Sequence, residues 1–141
     1  MNKNQAKTGF TLIELIMVIA IIGLITSVFL PNFSSIQEKA KESNIKSISH
    51  TLQMAVESYF LKNQSYPAGE EAALSITELV TLLKTSKDIG KTPKNPFTGN
   101  PYKDNDASGK ITYTYNSANA TYSIKAYGTG NSEIIIQLEN I

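Results

Sequence analysis

The chain opens polar, turns apolar from Phe10 to Leu30, and then mixes apolar and polar positions to its end. The apolar run holds 21 residues and one charge, Glu14. A helix of about 20 apolar residues is long enough to cross a bilayer. Beyond Pro31 the pattern changes. Ile36, Ala40, Ile45, Ile48, Leu52, Ala55 and Tyr59 recur at spacings of three to five, with Lys39, Lys41, Glu42, Lys46 and Glu57 between them. This pattern predicts the same helix continuing with one apolar face. A single long helix is therefore expected from about Thr11 to about Leu61, apolar all round in its first half and amphipathic in its second.

Asn63-Gln64-Ser65-Tyr66-Pro67-Ala68-Gly69 ends that helix with turn residues. A shorter helix follows. Ser75 and Glu78 have capping-box spacing, Ile76, Leu79, Leu82 and Leu83 give an apolar face, and Gly90 is the expected stop. Pro93, Pro96, Gly99 and Pro101 rule out regular helix or central strand over 92–102, so an ordered loop anchored by Phe97 and Tyr102 is expected. The tail alternates. Ile111, Tyr113 and Tyr115, then Tyr122, Ile124 and Ala126, then Ile134, Ile136 and Leu138 form three strands, with turns at 116–120 and 128–132. The expected fold is α+β: a long N-terminal helix whose amphipathic half packs on a small C-terminal antiparallel sheet.

Length and composition narrow the function. At 141 residues there is room for one modest domain beside the apolar segment. Thirteen Lys, no Arg and 12 acids leave a net charge of +1, too balanced to imply a nucleic-acid partner. Cysteine is absent, which removes disulfides, thiolate chemistry and Cys-type zinc sites. His50 is the only histidine, and it sits inside a helical pattern. There is no Ser-His-Asp set, no H-E-x-x-H and no phosphate loop. Glu70-Glu71 lies in a loop with no pocket signal, and Gly128-Thr129-Gly130 reads as a hairpin turn. No enzyme and no cofactor are expected.

The chemistry concentrates at the start of the apolar run. A carboxylate in hydrocarbon costs a few kcal/mol even on lenient scales, so Glu14 calls for a partner. An amine would arise if the chain were cut between Gly9 and Phe10. A secretory signal would place a small-residue site after a shorter apolar stretch. Here the small residue, Gly9, comes before the run, so a cut would remove a short basic leader and keep the helix. A plain membrane anchor would need no Glu14.

The string Gly9-Phe10-Thr11-Leu12-Ile13-Glu14-Leu15, the apolar run and Pro31 resemble the type IV pilin and type II secretion pseudopilin family. Asn95-Pro96-Phe97 and Gly99-Asn100-Pro101-Tyr102 resemble the family's loop before the sheet. The chain departs from many pilins in lacking a C-terminal disulfide loop. The resemblance implies a leader 1–9, a membrane and filament-core segment 10–30, and a head 31–141 that includes the second half of the long helix. It implies cleavage after Gly9 by a prepilin peptidase, N-methylation of Phe10, and assembly into a homo-oligomeric filament through pairing of Glu14 with a neighbour's Phe10 amine. It further implies helix melting between Gly23 and Pro31. The implied partners are an assembly ATPase, a platform protein, and minor pilins or pseudopilins. The subunit would wait in the cytoplasmic membrane with its head outside the cytoplasm, then enter a pilus or a periplasmic pseudopilus. Asp104 and Asp106 occupy the loop position where major pseudopilins hold calcium. The rival reading is a single-pass anchored binding domain that does not polymerise.

Overall fold

The computed structural model describes residues 9–29, 33–68 and 74–140. The chain divides into two units, Met1–Gln37 and Glu38–Ile141. Helix α1 (Leu12–Phe29) buries none of its side chains, as expected of a segment apolar on every side. It runs unbroken through Gly23. The Thr26 and Ser27 hydroxyls donate to the carbonyls of Ile22 (2.8 Å) and Leu24 (2.7 Å), so the helix satisfies its own polar groups. Pro31, one end of the expected melting segment, lies outside the described residues, as do Glu70 and Glu71.

Helix α2 (Phe33–Asn63) carries the core face of the second unit, burying Ile45, Ser49, Leu52, Ala55 and Val56. The Ser49 hydroxyl is satisfied by the Ile45 carbonyl at 2.9 Å. The expected apolar face needs correcting here. Ile36 is 59% exposed and Ala40 is also exposed. The cause is helical phase. A step of five residues turns the helix by about 140°, and the nine from Ile36 to Ile45 turn it by about 180°. Met54 and Leu61 share the outward side, so this half of the helix is not apolar on one face only.

Helix α3 (Ile76–Thr85) begins with the expected capping box. Ser75 Oγ accepts from the Glu78 N–H, and Glu78 accepts from the Ser75 N–H. It buries Ile76, Leu79, Val80 and Leu83. The helix stops at Ser86 rather than near Gly90, because Lys87 takes a left-handed conformation (φ 62°) and the N–H groups of Asp88 and Ile89 turn back to the Leu83 carbonyl.

The sheet is a meander of β1 (Ile111–Asn116), β2 (Thr121–Tyr127) and β3 (Ile134–Glu139), antiparallel in that order. Inward residues meet in register, Ile111 with Ala126 and Tyr113 with Ile124. Between β2 and β3 the register shifts at Ala126/Tyr127. That irregularity turns Ile134 outward (44% exposed), against the expected alternation, and leaves Ile135 against the core.

Polar anchors tie the layers together. Tyr122 OH donates to Glu57 Oε1 at 2.6 Å, joining β2 to α2, and Tyr113 OH donates to the Pro67 carbonyl at 2.8 Å. Asp88 accepts from Lys62 Nζ (2.7 Å) and from the hydroxyls of Ser58 (2.6 Å) and Ser86. Burial pushes its pKa up. The three donors outweigh burial and hold the group at about 2. In the 92–102 loop Tyr102 is buried and Phe97 half-buried. Asn95, fully buried, donates to Asp106 Oδ2 (2.9 Å) and the Ser108 carbonyl (2.8 Å) and accepts from the Phe97 N–H (2.9 Å).

Candidate functional site: the junction at Gly9 to Glu14

α1 begins at Leu12, which makes Thr11 its N-cap and Glu14 its third residue. The Thr11 N–H and hydroxyl both donate to Glu14 Oε2, at 2.8 and 2.7 Å, and the Glu14 N–H reaches Thr11 Oγ1 at 3.3 Å. This is a capping box that satisfies helix-end donors and sets a carboxylate at the positive end of the helix dipole. The partner of Glu14 is therefore Thr11. Sequence reasoning overlooked Thr11, although the signature it used at Ser75 and Glu78 is present here too.

Gly9 and Phe10 precede the helix and are exposed, Phe10 by 84%. A Cβ built on Gly9 meets nothing within 4 Å among the described residues. The same holds for Gly23 within α1. Gly23 is part of regular helix, and Pro31 is outside the described residues.

Asp104 and Asp106 are near neighbours in sequence with separate duties. Asp104 Oδ1 accepts from the Ile76 N–H at 2.8 Å, at the start of α3. Asp106 Oδ2 accepts from Asn95 Nδ2 and from the Lys103 N–H at 3.0 Å. Among the described residues no three His, Cys, Asp or Glu side chains gather as a metal site. Two engaged carboxylates are a thin donor set for calcium, which takes about six to eight oxygens. His50 is exposed on α2.

Among the described residues one helix, Leu12–Phe29, is long and apolar enough to cross a membrane, and with its capped carboxylate and the α+β unit after it the chain fits a membrane-anchored subunit. The model of the prokaryotic N-terminal methylation motif matches residues 4–30. The chain is 32% identical over 108 residues to the type II secretion system core protein G of Escherichia coli (strain K12), spanning 72% of this chain and 74% of that one. It is 30% identical over 107 residues to the protein of the same name from Aeromonas hydrophila, with coverage of 72% and 74%. To the type IV major pilin protein PilA of Myxococcus xanthus (strain DK1622) it is 40% identical over 63 residues, 45% of this chain and 29% of that one. No solved structure matches the chain at a significant level. The chain belongs to the type IV pilin and type II secretion pseudopilin family.

Proposed function

We propose that this chain is the structural subunit of a pseudopilus-type filament. Residues 1–9 act as a leader removed by a prepilin peptidase, residues 10–30 as the membrane and filament-core segment, and residues 31–141 as the head. The observation that carries this reading is the junction itself. Gly9, where a Cβ would meet nothing within 4 Å among the described residues, stands directly before a helix whose only charge is Glu14. In this reading a peptidase cleft is what requires a minimal side chain at Gly9.

Cleavage creates an amine at Phe10, which is methylated in this reading. In the membrane, Thr11 holds the Glu14 carboxylate within its own helix. In the filament the carboxylate meets the Phe10 amine of a neighbour, and unpaired burial of either charge would cost several kcal/mol in rough terms. That penalty sets the stagger between subunits. Gly23 and the segment to Pro31 supply the part of the helix able to unwind during packing. The partners are other copies, minor pseudopilins, a platform protein and an assembly ATPase. The role is structural, not catalytic. Asp104 and Asp106 are assigned to the loop's own hydrogen bonds. A calcium-dependent rise in melting temperature, abolished by Asp104→Ala, would return them to metal binding.

The test replaces Glu14 in cells that carry the assembly machinery. Glu14→Leu makes α1 more apolar, so membrane levels should hold or rise. Sheared filaments should vanish, and Glu14→Gln should also impair them. Gly9→Val should leave residues 1–9 attached in mass spectra of extracted protein. Normal filament yield from Glu14→Leu would overturn the subunit mechanism and favour an anchored domain that does not polymerise.

A further inference from the structure

Three segments of the head meet at Asp106, and side-chain amides face its oxygens. Asn95, fully buried in the 92–102 loop, donates from Nδ2 to Asp106 Oδ2 at 2.9 Å and to the Ser108 carbonyl at 2.8 Å. Asn131, in the turn before β3, donates from Nδ2 to the Asp106 carbonyl at 2.7 Å. Main-chain donors fix which end of each side chain is nitrogen. The Phe97 N–H reaches Asn95 Oδ1 at 2.9 Å, and the Lys110 N–H reaches Asn131 Oδ1 at 3.0 Å. An N–H needs an oxygen opposite it, so both NH2 groups point to the 106–108 stretch.

Carboxylate oxygens and main-chain carbonyls are what calcium takes, at about 2.3–2.6 Å and about six to eight at a time. Here the Asn95 nitrogen stands where two such oxygens converge, and the Asn131 nitrogen covers a third. A cation in that place would face the positive ends of N–H groups. Asp104 is turned to another element, since its Oδ1 accepts from the Ile76 N–H. The donor set around Asp106 does not fit calcium.

The junction is also closed by its surroundings. A Cβ on Gly109 would lie 2.9 Å from Asn95 Oδ1, so the chain covers that amide. Asn131 has φ 54°, a left-handed conformation that Asn and Asp adopt more readily than most residues. The Gly130 N–H donates to Ser108 Oγ at 2.9 Å, and the Gly109 N–H to the Gly128 carbonyl at 3.0 Å, so the turn is tied to the acidic loop at several points.

We propose that Asn95 and Asn131 do for this loop what a bound cation would do. Their carboxamides gather its oxygens and tie the 92–102 loop and the turn before β3 to it. The head then holds this shape at any calcium level, with or without filament assembly. Exchanging NH2 for O− keeps the side-chain shape, removes the donor and turns a carboxylate toward oxygens already there. That arrangement repels itself until a cation enters it.

Full-length protein in detergent, melted in excess chelator and again in millimolar calcium, tests this. The parent should melt at one temperature in both. Asn131→Asp, at a half-buried site, should melt about 4 °C or more below the parent in chelator. Calcium should return part of that loss, because an ion bound only by the folded state stabilises it. Asn95→Asp should show the same pattern more strongly, and folding only in calcium would support the proposal equally. A calcium-dependent rise in the parent would overturn it, since the loop would then hold an ion. So would parental melting of Asn131→Asp in chelator, or a loss in that variant that calcium does not reduce.

Discussion

At the residue scale, Gly109 and Asp88 carry more of the head than their neighbours in sequence suggest. Gly109 has φ +70°, and a Cβ there would lie 2.7 Å from Phe97 Cδ2, 2.8 Å from Ile45 Cδ1 and 2.9 Å from Asn95 Oδ1. Left-handed strain and overpacking add, so Gly109→Ala should destabilise the head by about 1–3 kcal/mol in denaturant unfolding. Gly90→Ala, where a Cβ meets nothing within 4 Å, should leave the midpoint unchanged. Equal effects would mean that packing at Gly109 does not limit stability. Asp88 makes a claim about pH. Its folded pKa is depressed from 3.8 to about 2. The stability it contributes is thus complete above the unfolded value and is lost as pH falls from 3.8 toward about 2. Asp88→Asn should lower the melting temperature at neutral pH and flatten its fall across that acid window. An unchanged acid slope would assign the acid sensitivity to other carboxylates. Neither residue stood out in the sequence. Gly109 belongs to the acidic loop read for calcium, and two of the three partners of Asp88, Ser58 and Lys62, lie on another helix.

At the scale of elements, α3 and the first two strands were readable because their signals are local. A capping box and strict alternation need no knowledge of the partner. The sequence pattern marks the end of α2 to within two residues, but it joins α1 and α2 into one helix where the described residues give two, and it blurs the face of α2 because a spacing of five does not keep helical phase as three or four do. The residues at fault were Ile36 and Ala40, on the side where Met54 and Leu61 stand. β3 went wrong at Ile134 because a register shift depends on β2, which the strand's own residues do not encode. The corrected face of α2 is testable. Leu52 is 0% exposed, so Leu52→Ala should cost about 2–5 kcal/mol. Met54, two residues on and 65% exposed, should tolerate Ala within about 0.5 kcal/mol. If the two changes move the denaturant midpoint alike, the phase drawn here is wrong.

At the scale of the whole molecule, the apolar surface is distributed unevenly, and that distribution links fold to function. Fourteen of the 19 large exposed hydrophobic residues among those described lie between Phe10 and Phe29. Phe33 and Ile36 follow them, and from Glu38 onward only Met54, Leu61 and Ile134 remain. Scattered single apolar residues are ordinary on soluble surfaces, whereas a continuous apolar helix is not. The buried core residues, from Ile45 on α2 to Ala126 in the sheet, all fall within Glu38–Ile141. A chain lacking residues 1–37 should therefore fold, stay in solution without detergent and sediment as a monomer. The full chain should need detergent or a bilayer. Analytical ultracentrifugation and far-UV circular dichroism of the truncated chain decide the point. Aggregation or lost helicity would mean that the head depends on the N-terminal unit, and the division between an anchoring helix and a self-sufficient head would fail.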